Sequence, residues 1–250
     1  MKGMIMAAGV GTRLHPLTKD IPKPMVPIAG RPLMEHIIHL LRIHGFTQLV
    51  ANLHYLPQTI QNYFGDGSRF GVNLQYSYEP DLMGTAGGVK KNKDFLDETF
   101  VVVSGDALTD INLRAFLDFH KQKGAIASIA LKPMEEVERF GVVIVDSDGR
   151  ITSFQEKPKK EEALSNLVNT GVYIFEPEIF NYIPGEEVYD FGKNLFPRLA
   201  AEGAPFYGYV TQDYWCDVGN LEAYSQAQKD VEQDRVKLYA YQAFAPLKVI

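Results

Sequence analysis

The sequence predicts an α/β fold: a mixed, mostly parallel sheet flanked by helices on both faces, with β-hairpin additions in the second half. Three observations lead there. Short apolar, β-branched runs alternate with helix-length amphipathic stretches through the first half, the pattern of a parallel sheet covered by helices. Two of those runs stop at small-residue turns, Gly9-Val10-Gly11 and Ser104-Gly105-Asp106. Both turns therefore belong at the carboxyl edge of the sheet, where such folds bind ligands. The second half changes to hairpins and aromatic strands, with no Gly/Ser/Pro-rich linker between the halves.

Taken in order, Met4 to Ala8 is a short buried strand entering the glycine loop. Pro32 suits the first position of a helix whose apolar stripe, Leu33, Ile37, Leu40 and Leu41, ends at Gly45. Gln48 to Leu53 is a second strand, Pro57 to Phe64 a helix closed by Gly65, and Val72 to Tyr76 a third strand. Phe100 to Val103 is a β-branched run that leaves Asp106 just past a strand end. Asn112 caps a helix through His120, closed by Gly124, and Ile126 to Leu131 returns as a strand. Val142 to Val145, the Asp148-Gly149 turn and Ile151 to Phe154 make a hairpin. Val172 to Phe175 is a strand, Phe191 to Ala201 a helix kinked at Pro197, and Leu221 to Val231 a last amphipathic helix. The arrangement is Rossmann-like. Residues 1–230 read as one unit, its halves meeting near residue 125, and residues 231–250 as a C-terminal extension of open role.

Composition narrows the function. With 250 residues the chain can bury roughly 70–75% of its unfolded surface, so its core needs no staple. The single cysteine, Cys216, excludes an intramolecular disulfide and fits a reducing compartment. The 25 Lys and Arg against 31 Asp and Glu leave a net charge of −6, unlike a nucleic-acid binder, whose phosphate affinity comes from many cations. No apolar stretch approaches the roughly 20 residues of a membrane helix. The Met4 to Ala8 run is too short for a signal peptide, so the expected location is the cytoplasm. The sequence leaves both a monomer and a homo-oligomer open.

Two glycines in Ala7-Ala8-Gly9-Val10-Gly11-Thr12-Arg13-Leu14 let backbone N–H groups approach an anion. Arg13 adds a permanently charged fork, and Lys23 is held between Pro22 and Pro24. In an acidic chain, cations gathered near a strand end imply an anionic ligand. The loop is neither a dinucleotide fingerprint, since Leu14 stands where the third glycine belongs, nor a P-loop.

Asp106 and Asp217 each end an apolar strand, far apart in sequence. Two such carboxylates, completed by substrate phosphate oxygens, are what Mg²⁺ takes. Helix capping is the competing role: Asp110 reads as the cap of the helix from Leu113, and Asp217 has the same alternative at Leu221. His36, His39 and His44 lack the His-Glu-x-x-His frame of a zinc hydrolase and read as surface histidines, and Cys216 as a small buried residue. No Gly-x-Ser-x-Gly elbow is present.

Together these residues resemble the sugar-1-phosphate nucleotidylyltransferases. The resemblance runs through the glycine loop, Pro22-Lys23-Pro24, Gly84-Thr85-Ala86-Gly87, Gly105-Asp106, Phe140-Gly141-Val142, Glu156-Lys157-Pro158, Asn169-Thr170-Gly171 and Trp215-Cys216-Asp217-Val218-Gly219, in the family's order over about residues 1 to 230. The Thr85-Ala86-Gly87 run and the segment from Tyr214 to Glu222 look most like bacterial mannose-1-phosphate guanylyltransferases. Ala8 departs from the glycine many members have.

The resemblance implies a nucleotide-binding half, residues 1–125, and a sugar-binding half, residues 126–230. It implies Arg13, Lys23, Asp106 and Lys157 as the catalytic set, with Asp106 and Asp217 holding Mg²⁺. Ala7, Ala8, Gly9, Gly11, Thr12, Gly84 and Thr85 would serve the nucleotide beside Arg13 and Lys23; Gly141, Glu156, Asn169 and Thr170 would surround the sugar, with Lys157 on its phosphate. Glu79, before the Gly84 loop, could accept from guanine N1–H and the 2-amino group, with a surface position the equal alternative. The expected reaction joins GTP and mannose-1-phosphate into GDP-mannose and pyrophosphate. The alternatives are a UDP-glucose or dTDP-glucose pyrophosphorylase and a non-catalytic nucleotide-sugar sensor.

Overall fold

The structure is a computed structural model, and it describes residues 1–185 and 188–238. The first half comprises β1 (Lys2–Met6), the short ribbon β2 (Pro27–Ile28) and β3 (Arg31–Pro32), α1 (Leu33–Ile43), β4 (Gln48–Leu53), α2 (Pro57–Phe64), β5 (Asn73–Tyr78), α3 (Gly84–Lys90), β6 (Phe100–Ser104), β7 (Ala107–Thr109) and α4 (Leu113–Gln122). The second comprises β8 (Ala127–Pro133), β9 (Gly141–Val145), β10 (Ile151–Glu156), β11 (Leu167–Phe175), α5 (Phe196–Ala201), β12 (Phe206–Val210), β13 (Trp215–Asp217) and α6 (Leu221–Glu232).

The mixed sheet has nine strands among the described residues, in the order β10-β9-β11-β6-β1-β4-β5, with β8 pairing β11 and β12. It is parallel through β5-β4-β1-β6 and again at β8-β12. It turns antiparallel where β11 runs against β6, β8 and β9 and where β9 and β10 form the hairpin. Successive side chains of a strand point to opposite faces, and the central strands are apolar at every position that matters. Ile5, Leu49, Ala51, Val101 and Val103 enter one core under α1, α2 and α4. Met4, Val50, Phe100 and Val102 enter the other, with Phe191, Phe196 and Phe206. Helices on both faces follow from that doubled burial.

Several expectations shift. Pro32 sits in β3, one residue before α1, and the predicted Phe191–Ala201 helix begins as a π-helical turn, Phe191–Leu195, before α5. β11 is nine residues long and slips register between Asn169 and Tyr173. The strand expected to end at Asp217 is β13, whereas α3, β12, β7 and the pairing of β7 with β13 were not expected. α3 is glycine-rich and short, and its first turn hangs on the Tyr189 carbonyl, which accepts from Ala86 N–H at 2.8 Å and Gly87 N–H at 3.0 Å. Asn112 and Asn220, not Asp110 and Asp217, cap α4 and α6, accepting from Ala115 and Ala223 N–H. Asp110 accepts instead from Tyr214 and Lys237 N–H. Residues 239–250 of the predicted extension lie outside the described residues. Among the described residues no helix is long and apolar enough to cross a membrane.

Candidate active site

β6 ends at Ser104, and the turn that follows lies over the carboxyl end of β1. Gly105 N–H donates to the Met6 carbonyl at 2.9 Å, and a Cβ at Gly105 would stand 2.5 Å from that oxygen. Only glycine fits there, and its compactness turns Asp106 out over the sheet edge. The chain then enters β7, which pairs antiparallel with β13 so that Ala107 faces Asp217. Val218 N–H closes the link by donating to the Asp106 carbonyl at 2.9 Å. Two carboxylates remote in sequence are thereby fixed side by side.

Lys23 reaches both. Its ammonium is ion-paired with Asp106 Oδ2 and lies 3.9 Å from Asp217 Oδ1. The side chain is only 9% exposed. Its stem packs on Gly11, which takes φ 72° and where a Cβ would come within 2.9 Å of Lys23 Cβ. Burial pushes the Asp106 carboxyl up, but the charge and hydrogen bond of Lys23, joined by the Ser104 hydroxyl, hold it below the usual carboxylate range. Asp217 moves the other way, raised by burial and then by the Asp106 carboxylate, against the pull of Lys23, Arg13 and Arg139. One lysine leaves the pair short of positive charge.

Around Asp106 the cleft divides into three compartments. The first, about 320 Å³, is lined by Ala8, Gly9, Asn52, Glu79, Gly84 and Thr85. The second, about 210 Å³, is lined by Arg13, Arg139, Gly141, Glu156, Lys157, Asn169, Thr170 and Asp217. Both include Ser104 and Asp106. The third, about 180 Å³, carries Thr85 and Asp190 from the first side and Glu156, Asn169 and Tyr173 from the second. Ala7, Gly11 and Thr12 do not line these compartments. Ala7 N–H donates to Asn52 Oδ1, Gly11 lies beneath Lys23, and Thr12 is exposed in the short helical turn Thr12–Leu14.

The second compartment is set by its own backbone. Lys157 takes φ 48° and its N–H donates to the Phe140 carbonyl at 3.1 Å, which ties the end of β10 to the turn before β9. Its side chain is 59% exposed, with the ammonium 3.5 Å from Glu156 Oε1 and free to swing toward a ligand. Gly141 leaves room for the Phe154 ring, which a Cβ would meet at 2.3 Å. Thr170 is buried, its hydroxyl donating to the Ala130 carbonyl at 2.7 Å, while its own carbonyl accepts from Trp215 Nε1 at 2.7 Å. Asn169 is held by Gly171 N–H and the Tyr173 hydroxyl.

Of the two alternatives for Glu79 the surface position falls away: the residue is 1% exposed, accepts from Asn52 Nδ2 at 2.8 Å and lines the first compartment. Two expectations are corrected. His36 and His39 are buried, at 7% and 4% exposure: the His36 ring bonds the Ile28 carbonyl of β2 at 2.9 Å, and the His39 ring packs edge-on against Phe70. Cys216 is half-buried, its thiol pushed up to about 11 by burial and by the Asp217 carboxylate. Asn52, Ser104, Arg139, Tyr173 and Asp190 were not foreseen as lining residues. Ser104 alone had a signal, its place beside Gly105-Asp106.

Asp106 and Asp217 offer hard oxygen donors beside an open cleft, and among the described residues no group of three His, Cys, Asp or Glu side chains gathers as a metal cage. That donor set, with its shortfall of positive charge, fits Mg²⁺ completed by ligand oxygens.

A family model described as nucleotidyl transferase matches residues 2–234. A UTP–glucose-1-phosphate uridylyltransferase of Synechocystis sp. is 48% identical over 252 aligned residues, covering 95% of this chain and 65% of that protein. A mannose-1-phosphate guanylyltransferase of Mycobacterium tuberculosis is 33% identical over 230 residues, covering 91% of this chain and 64% of its own length. The chain thus spans about two thirds of the length of these relatives. The nearer likeness is to the uridylyltransferase, which corrects the expected proximity to the guanylyltransferases. A crystal structure of a UDP-glucose pyrophosphorylase complexed with UDP-glucose superposes with a TM-score of 0.81 at 24% identity, covering 94% of this chain and 99% of that one, a likeness of fold.

Proposed function

The chain belongs to the nucleotidyl transferase family, and from that premise we propose that it transfers a nucleotidyl group from a nucleoside triphosphate to a sugar-1-phosphate. UTP and glucose-1-phosphate are the proposed pair, giving UDP-glucose and pyrophosphate. The 48% relative supports that pair over GTP and mannose-1-phosphate. The observation that carries the reaction class is the meeting of Lys23, Asp106 and Asp217 where two compartments join, one faced by backbone and Glu79, the other by Lys157.

The nucleophile is already an ionised phosphate oxygen, so the chain needs no activated serine or cysteine. Phosphoryl transfer of this kind depends on positioning and charge neutralisation. Lys157 holds the sugar phosphate, and its oxygen attacks the α-phosphorus in line. The bond from the α-phosphorus to the bridging oxygen breaks, and pyrophosphate leaves with both electrons. Lys23 and Arg13 offset the charge that gathers on the phosphates. Asp106 and Asp217 would hold Mg²⁺, which would supply Lewis-acid neutralisation of the phosphate oxygens. The second compartment has polar groups suited to sugar hydroxyls in Glu156, Asn169 and the backbone at Gly141 and Thr170.

The test is a grid of five nucleoside triphosphates against glucose-, mannose- and N-acetylglucosamine-1-phosphate with Mg²⁺, read by pyrophosphate release. UTP with glucose-1-phosphate is expected to be the fastest cell. A grid blank throughout, from folded protein, would leave only a ligand sensor.

A further inference from the structure

We propose that Arg139 binds the phosphate of the sugar-1-phosphate together with Lys157, from the rim of the second compartment. This deepens the proposed reaction and rests on it for the identity of the ligand. At neutral pH a phosphate monoester carries nearly two negative charges, and Lys157 alone does not match them. Its ammonium already lies 3.5 Å from Glu156 Oε1, so part of its charge is committed before a ligand arrives. Lys23 is taken up by Asp106 and Asp217. Arg13 comes from the short helical turn that follows the glycine loop, on the side of the triphosphate. Arg139 lines the second compartment with Lys157, and among the described residues it has no ion pair and no hydrogen bond.

The backbone holds this arginine in a set place. Two residues before it, Val137 is 4% exposed and clusters with Val142 and Val168. One residue after it, Phe140 turns back, its N–H donating to the Val137 carbonyl at 3.0 Å. The Phe140 ring meets the Trp215 ring edge to face at 5.2 Å, and Trp215 opens β13, the strand that ends at Asp217. The Phe140 carbonyl accepts the Lys157 N–H while Lys157 stands at φ 48°. Arg139 and Lys157 therefore share one hydrogen-bonded rim, and what fixes one backbone fixes the other. The charge of Arg139 is felt within the site: Asp217, raised by burial and by Asp106, is drawn back down by Lys23, Arg13 and Arg139. Arg139 also borders an adjoining cavity of about 300 Å³, with Met134, Glu136, Phe140 and Tyr214, so its long side chain has space to turn toward an arriving phosphate.

The two cations contribute differently. An ammonium is a point charge, whereas a guanidinium offers a planar fork that takes two phosphate oxygens at once. A fork and an ammonium on one monoester orient it as well as attract it, and in-line attack depends on that orientation.

Initial rates with each substrate varied in turn, beside equilibrium binding of glucose-1-phosphate, test this in the unaltered chain, Arg139→Ala and Arg139→Lys. The side chain is exposed, so both variants leave the core untouched. Arg139→Ala is expected to raise the KM for glucose-1-phosphate about tenfold and to weaken its binding as much, with the KM for UTP within about twofold. Arg139→Lys restores the charge without the fork and is expected to leave a deficit of about threefold. In the reverse direction, Arg139→Ala should leave the KM for pyrophosphate unchanged. An unaltered KM and binding of glucose-1-phosphate in Arg139→Ala, equal rises in KM for both substrates, or a rise confined to UTP or pyrophosphate would overturn the inference. Weaker binding of glucose-1-phosphate by Arg139→Ala, with no pyrophosphate released even by the unaltered chain, leaves it standing and sinks the proposed reaction. Full turnover by Arg139→Ala at low glucose-1-phosphate does the reverse, and an unaltered chain that neither binds glucose-1-phosphate nor turns over overturns both.

Discussion

Lys23 faces two carboxylates with one charge: against the effect of burial its ammonium holds Asp106 below the usual range, while burial first and the Asp106 carboxylate second raise Asp217. Lys157, by contrast, is exposed, held by its backbone and by a 3.5 Å ion pair with Glu156. Its contribution should be confined to the sugar phosphate. Lys157→Ala is expected to raise the KM for glucose-1-phosphate by about tenfold or more, with the KM for UTP within about twofold of its starting value. Initial rates with each substrate varied in turn check it, and an equal rise in both would remove Lys157 from the sugar phosphate. Asp106, Asp217 and Lys157 were legible because each stands in a short motif at a strand end, and Lys23 because it lies between Pro22 and Pro24. Asn52 and Asp190 were not. A lone asparagine in an apolar strand and an aspartate before a π-helical turn carry no local signal, and only tertiary contacts give them partners. The burial of Glu79 was hidden for the same reason: the residue that receives it, Asn52, is on another strand.

Elements were most legible where pattern and capping agree. α4 shows this: Asn112 accepts from Ala115 N–H at 3.1 Å, and Leu113, Phe116, Leu117 and His120 face inward. Asn112→Ala is expected to cost about 1 kcal/mol of stability with unchanged kinetics, measured by urea unfolding alongside turnover. A loss under a few tenths would mean the cap does little. The elements that escaped the sequence are those made by partners. β7 is three residues long and exists by pairing with β13, and α3, with three glycines in seven residues, is anchored on Tyr189. The helix predicted over Phe191–Ala201 has the right extent, yet its first turn is widened into a π turn. A Cβ at Gly192 in that turn would meet Glu156 Oε2 at 2.5 Å, so the turn packs directly against the second compartment's carboxylate.

Across the whole molecule, three histidines are buried rather than displayed. Burial holds His36, His39 and His120 below the ordinary histidine value of 6.5, more than Glu35 and Glu176 nearby restore. Unfolding returns them to that value, so below pH 6.5 the unfolded chain binds more protons and stability falls as the pH falls. Each adds at most about 1.4 kcal/mol per pH unit. Urea unfolding at pH 7, 6 and 5 should give a declining series, and a level one would contradict their burial as neutral groups.

The fold itself brings β6, β7 and β13 together so that Lys23, Asp106 and Asp217 meet at the cleft. Pyrophosphate release from UTP and glucose-1-phosphate, followed while Mg²⁺ is titrated into metal-free protein, tests that convergence most directly when run beside Asp217→Asn. Release should be absent without the cation, and the variant should be slower by on the order of 10²–10³ with its unfolding midpoint little changed. Turnover in the metal-free protein, or a variant as fast as the unaltered chain, would contradict it.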